Sequence, residues 1–403
     1  MMQGEVAFSR RGTLILLGLI ALSLVGFSQP AQCQTYKVIH NFTGQGSDGA
    51  DPYAGPTLDS SGNLYGTTYL GGSTGNGTVY RMSPRGDSWA YVTVYSLKGG
   101  SDGSGPAFGS LAIAGDRGLL GTTEGGGFFG TAFGVCDCPQ RERVLHSFGT
   151  GSDGAQPIGG VVLDSAGNFY GTTSLGGAYG NGTVFEAKRS GLTWAESVIY
   201  SFTGGDDGTS PPAGVTLDAH GNLYGTTSFG GANGVGIIYE LSHSGSSWKQ
   251  TVLYTFQGLS DGQNPVGGVI LDKAGNLYGT TFDGGNNGGG TVYELSPSNG
   301  TWTFTVLYSF TGGYGGPYNK LTFDAKGNLY GFTNGEGLYG FGSVFKLTPA
   351  NGSWTYTDLY DFPGGADGSL PYGSVAVDSL GNVFGTASVG GSDNQGLVFE
   401  IAP

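Results

Sequence analysis

An all-β fold is what this sequence predicts: a seven-bladed β-propeller of four-stranded antiparallel blades. Three observations carry that expectation. One phrase returns seven times at near-constant spacing, each copy divides into four short strand-like runs, and the two ends of the repeated region are complementary fragments of one copy.

The phrase is Gly-Asn-Leu-Tyr-Gly-Thr-Thr at 62–68, with variants at 118–123, 167–173, 221–227, 275–281, 327–333 and 381–387. Its central glycines are Gly66, Gly121, Gly171, Gly225, Gly279, Gly331 and Gly385, which sets a period of 50–55 residues. A fixed period of this length marks a repeat architecture. The fifth copy predicts strands at Val266–Asp272, Asn276–Phe282, Gly290–Ser296 and Trp302–Phe310, labelled A to D. All are rich in β-branched and aromatic residues and are separated by glycine-containing turns. Four strands of about six residues with connectors of similar length need about 50 residues. A β-helix coil would be shorter, and the 3.6-residue period of helical repeats is absent.

The last copy stops at Ile401, in its third strand, whereas Tyr36–Thr43 resembles an isolated strand D such as Ser197–Thr203. Pairing the first strand with the last three closes the ring and leaves no open edge. The expected blade cores are 52–97, 106–148, 157–202, 211–256, 265–310, 317–362, and 371–401 with 35–43. They form one domain over 34–403.

Glycine, at 83 residues, would suggest disorder on its own, but aromatics make up 13% and charged residues only 11%, the reverse of a disordered chain. Residues 1–33 have the pattern of an export signal. Arg10 and Arg11 precede an apolar run from Leu14 to Phe27, and Ala31-Gln32-Cys33 offers a cleavage site. The run is short for a membrane span of about 20 residues, so no transmembrane segment is expected after its removal. The expected location is secreted, periplasmic or cell-surface, and the expected state is a monomer. A net charge of −14 argues against nucleic acid as a partner. Cys136 and Cys138 read as a pair of loop thiols, with no nearby histidines to complete a zinc site.

The copies share Asp-x-x-Gly-Asn-Leu-Tyr-Gly-Thr-Thr, then Gly-Gly-x-x-Gly-Asn-Gly-Thr-Val-Phe, then Leu-Tyr-Ser-Phe. This pattern resembles the GloVer-type tandem repeats, named for Gloeobacter and Verrucomicrobia, of bacterial choice-of-anchor proteins. The resemblance spans nearly all of 34–403. It implies an exported, often surface-associated protein and brings no activity with it. Such proteins often carry a sorting tail. This sequence stops on a strand, which favours secretion without a covalent anchor.

Most polar residues that invite a functional reading belong to the repeat. The aspartates before each A–B turn (Asp59, Asp164, Asp218, Asp272, Asp324, Asp378) suit turn chemistry. All five tryptophans stand at the start of a strand D and suit packing between blades. The four histidines are scattered, without carboxylates at ligand spacing, so a histidine metal site is not expected. Arg85-Gly86-Asp87 fills an ordinary C–D turn. A second set of aspartates lies in the D–A crossovers: Asp48, Asp102, Asp153, Asp207, Asp261 and Asp367. As a ring they are calcium candidates, because calcium takes several oxygen ligands; otherwise no cofactor is expected. The B–C and D–A loops should share one face, here called the top. On it, departures from the repeat nominate a binding set: Glu124, Phe128, Phe129, Tyr179, Asp283, Tyr314, Tyr318, Glu336 and Tyr339. Aromatics with carboxylates suit a glycan or a protein at the cell envelope.

The reading favoured is a non-enzymatic binding or scaffold module. The rival is a carbohydrate-active hydrolase or lyase with Asp283 and Glu336 as its acid–base pair, which would need carboxyls about 5–10 Å apart.

Overall fold

The computed structural model describes residues 34–403 apart from 107, 116–117, 138–139, 150, 192, 246 and 313–314. The export signal read over 1–33, Cys138 and Tyr314 therefore lie outside the described residues. Seven four-stranded antiparallel sheets form, with a two-stranded ribbon beside the first. In blade 5 the strands are Val269–Leu271, Leu277–Thr281, Thr291–Ser298 and Thr301–Ser309. The closing sheet is Ala376–Val377, Val383–Ala387, Leu397–Ala402 and Thr35–Asn41. Thr35 pairs with Ala402 and Asn41 with Leu397, so closure by the first strand is as the sequence predicts.

Strand A is shorter than expected, at three residues in blade 5. Before it, the backbones of neighbouring blades crowd the propeller axis. A Cβ on Gly109 would lie 2.4 Å from Gly160 N, and one on Gly159 would lie 2.3 Å from Gly214 N. This stretch packs blade against blade instead of pairing with strand B.

The central glycine of the phrase has an equally direct cause. A Cβ on Gly279 would sit 2.4 Å from the Tyr293 hydroxyl oxygen, and one on Gly171 would sit 2.6 Å from Phe185 Cζ. The ring of strand C lies flat over the glycine, so strand B is buried on both faces. The second threonine after it hydrogen-bonds a partner hydroxyl on strand C, as in Thr68–Thr78 at 2.8 Å and Thr281–Thr291 at 3.0 Å. In blade 7 both members are apolar together, Ala387 opposite Leu397.

The cores lie between blades. One joins Tyr224, Ile238 and Phe256 of blade 4 to Val269, Leu277 and Tyr293 of blade 5. The tryptophans serve these junctions: Trp248 meets Tyr170 of blade 3, Trp354 meets Tyr278 of blade 5, and Trp89 meets Phe384 of blade 7. A bulge recurs between strands C and D, for example at Ile238/Tyr239 and Val292/Tyr293. Such a bulge bends and twists the outer strand.

Candidate functional site

The D–A and B–C loops bridge each other in successive blades, as in Ser104–Gly125, Ala155–Leu175, Thr209–Phe229 and Gln263–Asp283. They therefore share the top face. The residue before each crossover proline stitches this face together. Asn264 takes φ of 54°, its N–H donates to Val235 O of blade 4, and its carbonyl accepts from Phe282 N of blade 5.

The crossover aspartates act as latches on their own blades. Asp207 accepts from Tyr200 Oη at 2.8 Å and Thr203 N at 2.8 Å; Asp261 accepts from Tyr254 Oη and Gln257 N, both at 2.9 Å. Asp102 accepts from Tyr95 Oη and Lys98 N, and Asp367 from Tyr360 Oη. Asp48 contacts His40 at 3.2 Å and accepts from Thr43 N at 2.9 Å. Burial pushes the Asp48 carboxyl up, but hydrogen bonds with His40 and Thr43 outweigh it and lower it to about 2. These contacts sit beside the outer strands, not around the axis.

Blade 6 lacks the crossover aspartate, and Glu336 of its B–C loop supplies the missing latch. It accepts from Thr311 Oγ1 and Gly312 N, both at 3.1 Å. Asp283 accepts from Asn264 Nδ2 at 2.9 Å. Two departures that look independent in sequence, the lost aspartate and the gained glutamate, are thus one compensated exchange.

At the top of the channel four rings meet: Tyr53, Phe108, Tyr318 and Tyr372, from blades 1, 2, 6 and 7. Their centroids are 5.4 Å apart for Tyr53–Tyr372, 5.5 Å for Phe108–Tyr318 and 5.7 Å for Tyr318–Tyr372. Tyr69 and Phe282 extend the cluster from Tyr53 and Tyr318. Glu124 accepts from Tyr69 Oη at 3.4 Å. Phe108, Tyr318 and Tyr372 also line a cavity of about 210 Å³ that reaches Asn319 and Lys320. Lys320 spans from blade 6 to blade 4 and donates to Thr216 Oγ1 at 2.8 Å. Burial pushes its amine down to about 8. The amide nitrogen of Asn319 is buried without a hydrogen-bond partner.

Of the nominated residues, only Tyr318 joins this axial cluster; Glu124 borders it through Tyr69. Phe128, Phe129, Tyr179 and Tyr339 stand on the B–C loops, 77%, 53%, 63% and 54% exposed. Of twelve large apolar residues exposed among those described, eleven lie on B–C or D–A loops, and Leu380 alone lies on the opposite face. The top face is therefore the more apolar one among the described residues. Sequence reasoning missed Tyr53, Phe108 and Tyr372. Each follows its crossover proline closely, so the repeat hides them. The replacement of a pair of small residues, such as Gly267-Gly268 or Gly373-Ser374, by Asn319-Lys320 was the available signal for the lysine.

The histidine expectation needs correction. His146 Nε2 lies 3.0 Å from Asp153 Oδ1 and 3.8 Å from Glu196 Oε2, a grouping hidden in sequence because Glu196 belongs to the next blade.

Fold and site together define a closed seven-bladed repeat propeller with an aromatic-plugged channel and an apolar top face. The chain belongs to the Gloeobacter/Verrucomicrobia repeat family, which matches residues 26–211, 129–250 and 216–403. A xyloglucanase from Paenibacillus sp is 28% identical over 219 residues, 49% of this chain, and the match takes in 20% of that protein's length. Among solved structures, a Bacteroides uniformis protein assigned as a 6-phosphogluconolactonase aligns with a TM-score of 0.52 at 12% identity, covering 77% of this chain and 85% of that one. A nidogen/laminin complex aligns with a TM-score of 0.44 at 18% identity, covering 68% and 86%. The Bacteroides uniformis structure shares the fold alone. Among the described residues, no helix is long and apolar enough to cross a membrane.

Proposed function

We propose that this protein is an exported binding propeller of the cell envelope whose top face takes a polysaccharide without cleaving it. The observation that carries the reading is the one-sided exposure of apolar residues, with the rings of Phe128, Phe129, Tyr179 and Tyr339 turned to solvent. Exposed rings offer flat apolar faces for sugar C–H groups, and nearby polar loops supply hydrogen bonds. The match to part of a xyloglucanase favours a polysaccharide over a protein ligand. The hydrolase alternative rests on Asp283 and Glu336, and both carboxylates already accept hydrogen bonds from loop groups.

Affinity electrophoresis of the purified protein in gels cast with xyloglucan, other β-glucans or envelope glycans, with and without calcium, tests this reading. Retardation by at least one polymer, with no release of reducing ends over a day, is the expected result. Free migration in every gel would overturn polysaccharide binding, and release of reducing ends would favour the hydrolase.

A further inference from the structure

At each blade junction three positions meet beside the outer strands of the top face. They are the ring near the end of strand D, the crossover aspartate (replaced by Glu336 at the junction of blades 5 and 6), and a residue on strand D of the next blade. At four junctions the third residue is a second ring stacked on the first. Tyr91 lies on His40 and Tyr36 on Tyr360, each at 3.9 Å, with Phe304 on Tyr254 at 4.1 Å and Tyr356 on Tyr308 at 4.2 Å. The junction of blades 2 and 3 departs from this pattern: the three residues are His146, Asp153 and Glu196. One ligand atom from each lies within 4.8 Å of the others, and theirs is the one such grouping of three among the described residues. The neighbouring junctions lack the full set. Tyr95 stands with Asp102 and Glu142 on one side, and Tyr200 with Asp207 and Gln250 on the other.

A second observation concerns Glu196 itself. Its side chain is only 9% exposed, and its Oε1 is buried without a hydrogen-bond partner. Two carboxylates enclosed this closely are costly unless a cation compensates them. An imidazole can supply at most one positive charge, whereas a divalent ion supplies two and takes the orphaned oxygen as a ligand.

We propose that His146, Asp153 and Glu196 hold one first-row divalent transition ion of the zinc type, joining blade 2 to blade 3. The mixed nitrogen and oxygen donors suit such an ion. Calcium wants six to eight oxygens, and here only two side chains offer them. Three protein ligands leave a coordination position for water or for a group of a bound ligand. The site does not depend on the polysaccharide reading.

Titration calorimetry of the purified protein with Zn2+ alone tests the site. His146→Tyr and Glu196→Gln are suitable variants, because the repeat itself carries Tyr200 and Gln250 at the same positions and the fold tolerates them there. The wild type is expected to bind one ion per chain, and each variant to bind it at least tenfold more weakly. Zinc should also raise the unfolding temperature of the wild type and leave both variants unmoved. Absence of stoichiometric binding would overturn the proposal. So would variant titrations that superimpose on the wild type, which would move the ion to surface groups such as His220 and Asp218.

Discussion

Ring closure rests on a few side chains of the first strand, and Tyr36 is the one to remove. Its ring stacks on Tyr360 at 3.9 Å with the planes 5° apart, and meets Phe399 at 5.5 Å and Phe362 edge-on at 6.1 Å. Its hydroxyl donates to Asp367 O at 2.6 Å, which ties the first strand to the crossover after blade 6. Each aromatic pair contributes about 0.5–1.5 kcal/mol beyond its burial. Truncating a large buried aromatic costs about 3–5 kcal/mol. Tyr36 is partly exposed, so Tyr36→Ala should fall near the low end, about 3 kcal/mol. Tyr36→Phe keeps the ring contacts and loses one hydrogen bond, worth about 1 kcal/mol. Denaturant unfolding followed by tryptophan fluorescence measures both. Trp89 is a suitable reporter, because its ring packs on Phe384 of the closing sheet. A loss below about 1 kcal/mol for the alanine variant, or equal losses for both variants, would refute the claim that this strand holds the ring shut.

Three other substitutions probe the interior. Tyr293→Phe should be neutral or stabilising by about 1 kcal/mol in the same assay, because the tyrosine hydroxyl is buried without a partner and Phe185 and Phe345 fill the same place in other blades. Burial, then Asp102, pushes the Glu142 carboxyl up to about 8. The folded state then holds a proton that the unfolded state has lost between about pH 4.5 and 8, so stability falls as pH rises through that window. Glu142→Gln should remove this fall, matching the wild type near pH 4 and exceeding it above pH 8 in thermal unfolding. For Lys320 the amine is depressed from 10.5 to about 8, so the cost of burying its charge is complete below pH 8 and fades towards pH 10.5. Lys320→Met should raise the unfolding midpoint at pH 7, and the gain should shrink by pH 10.

The repeat made the blade count, the closing strand and the turn aspartates legible in sequence, because each is a local pattern repeated at a fixed period. Asp272 shows how local the turn signal is: its carboxylate accepts from Ala274 N, Asn276 N and Asn276 Nδ2, all within four residues. Contacts between blades were not legible in the same way. His146 and Glu196 are 50 residues apart, and the rings of Tyr53 and Tyr372 meet only because the chain closes on itself. The full extent of the exposed apolar residues on the top face was less legible, although Phe128, Phe129, Tyr179 and Tyr339 stood out as departures from the repeat. Leu175 and Phe229 look like ordinary loop residues, and only the assembled ring gathers them on one side. Glu336 was visible as a departure from the repeat, but its task, replacing a lost latch, required the partners Thr311 and Gly312.

The most direct test compares polysaccharide binding across the two faces of the propeller. A Phe128→Ser, Phe129→Ser double variant alters the top, and Leu380→Ser, at 79% exposure, alters the other face. With the polymer that retards the wild type, the top variant should bind at least tenfold more weakly and Leu380→Ser should bind as the wild type does. Equal binding by all three proteins, or a loss confined to Leu380→Ser, would contradict the assignment of the top face.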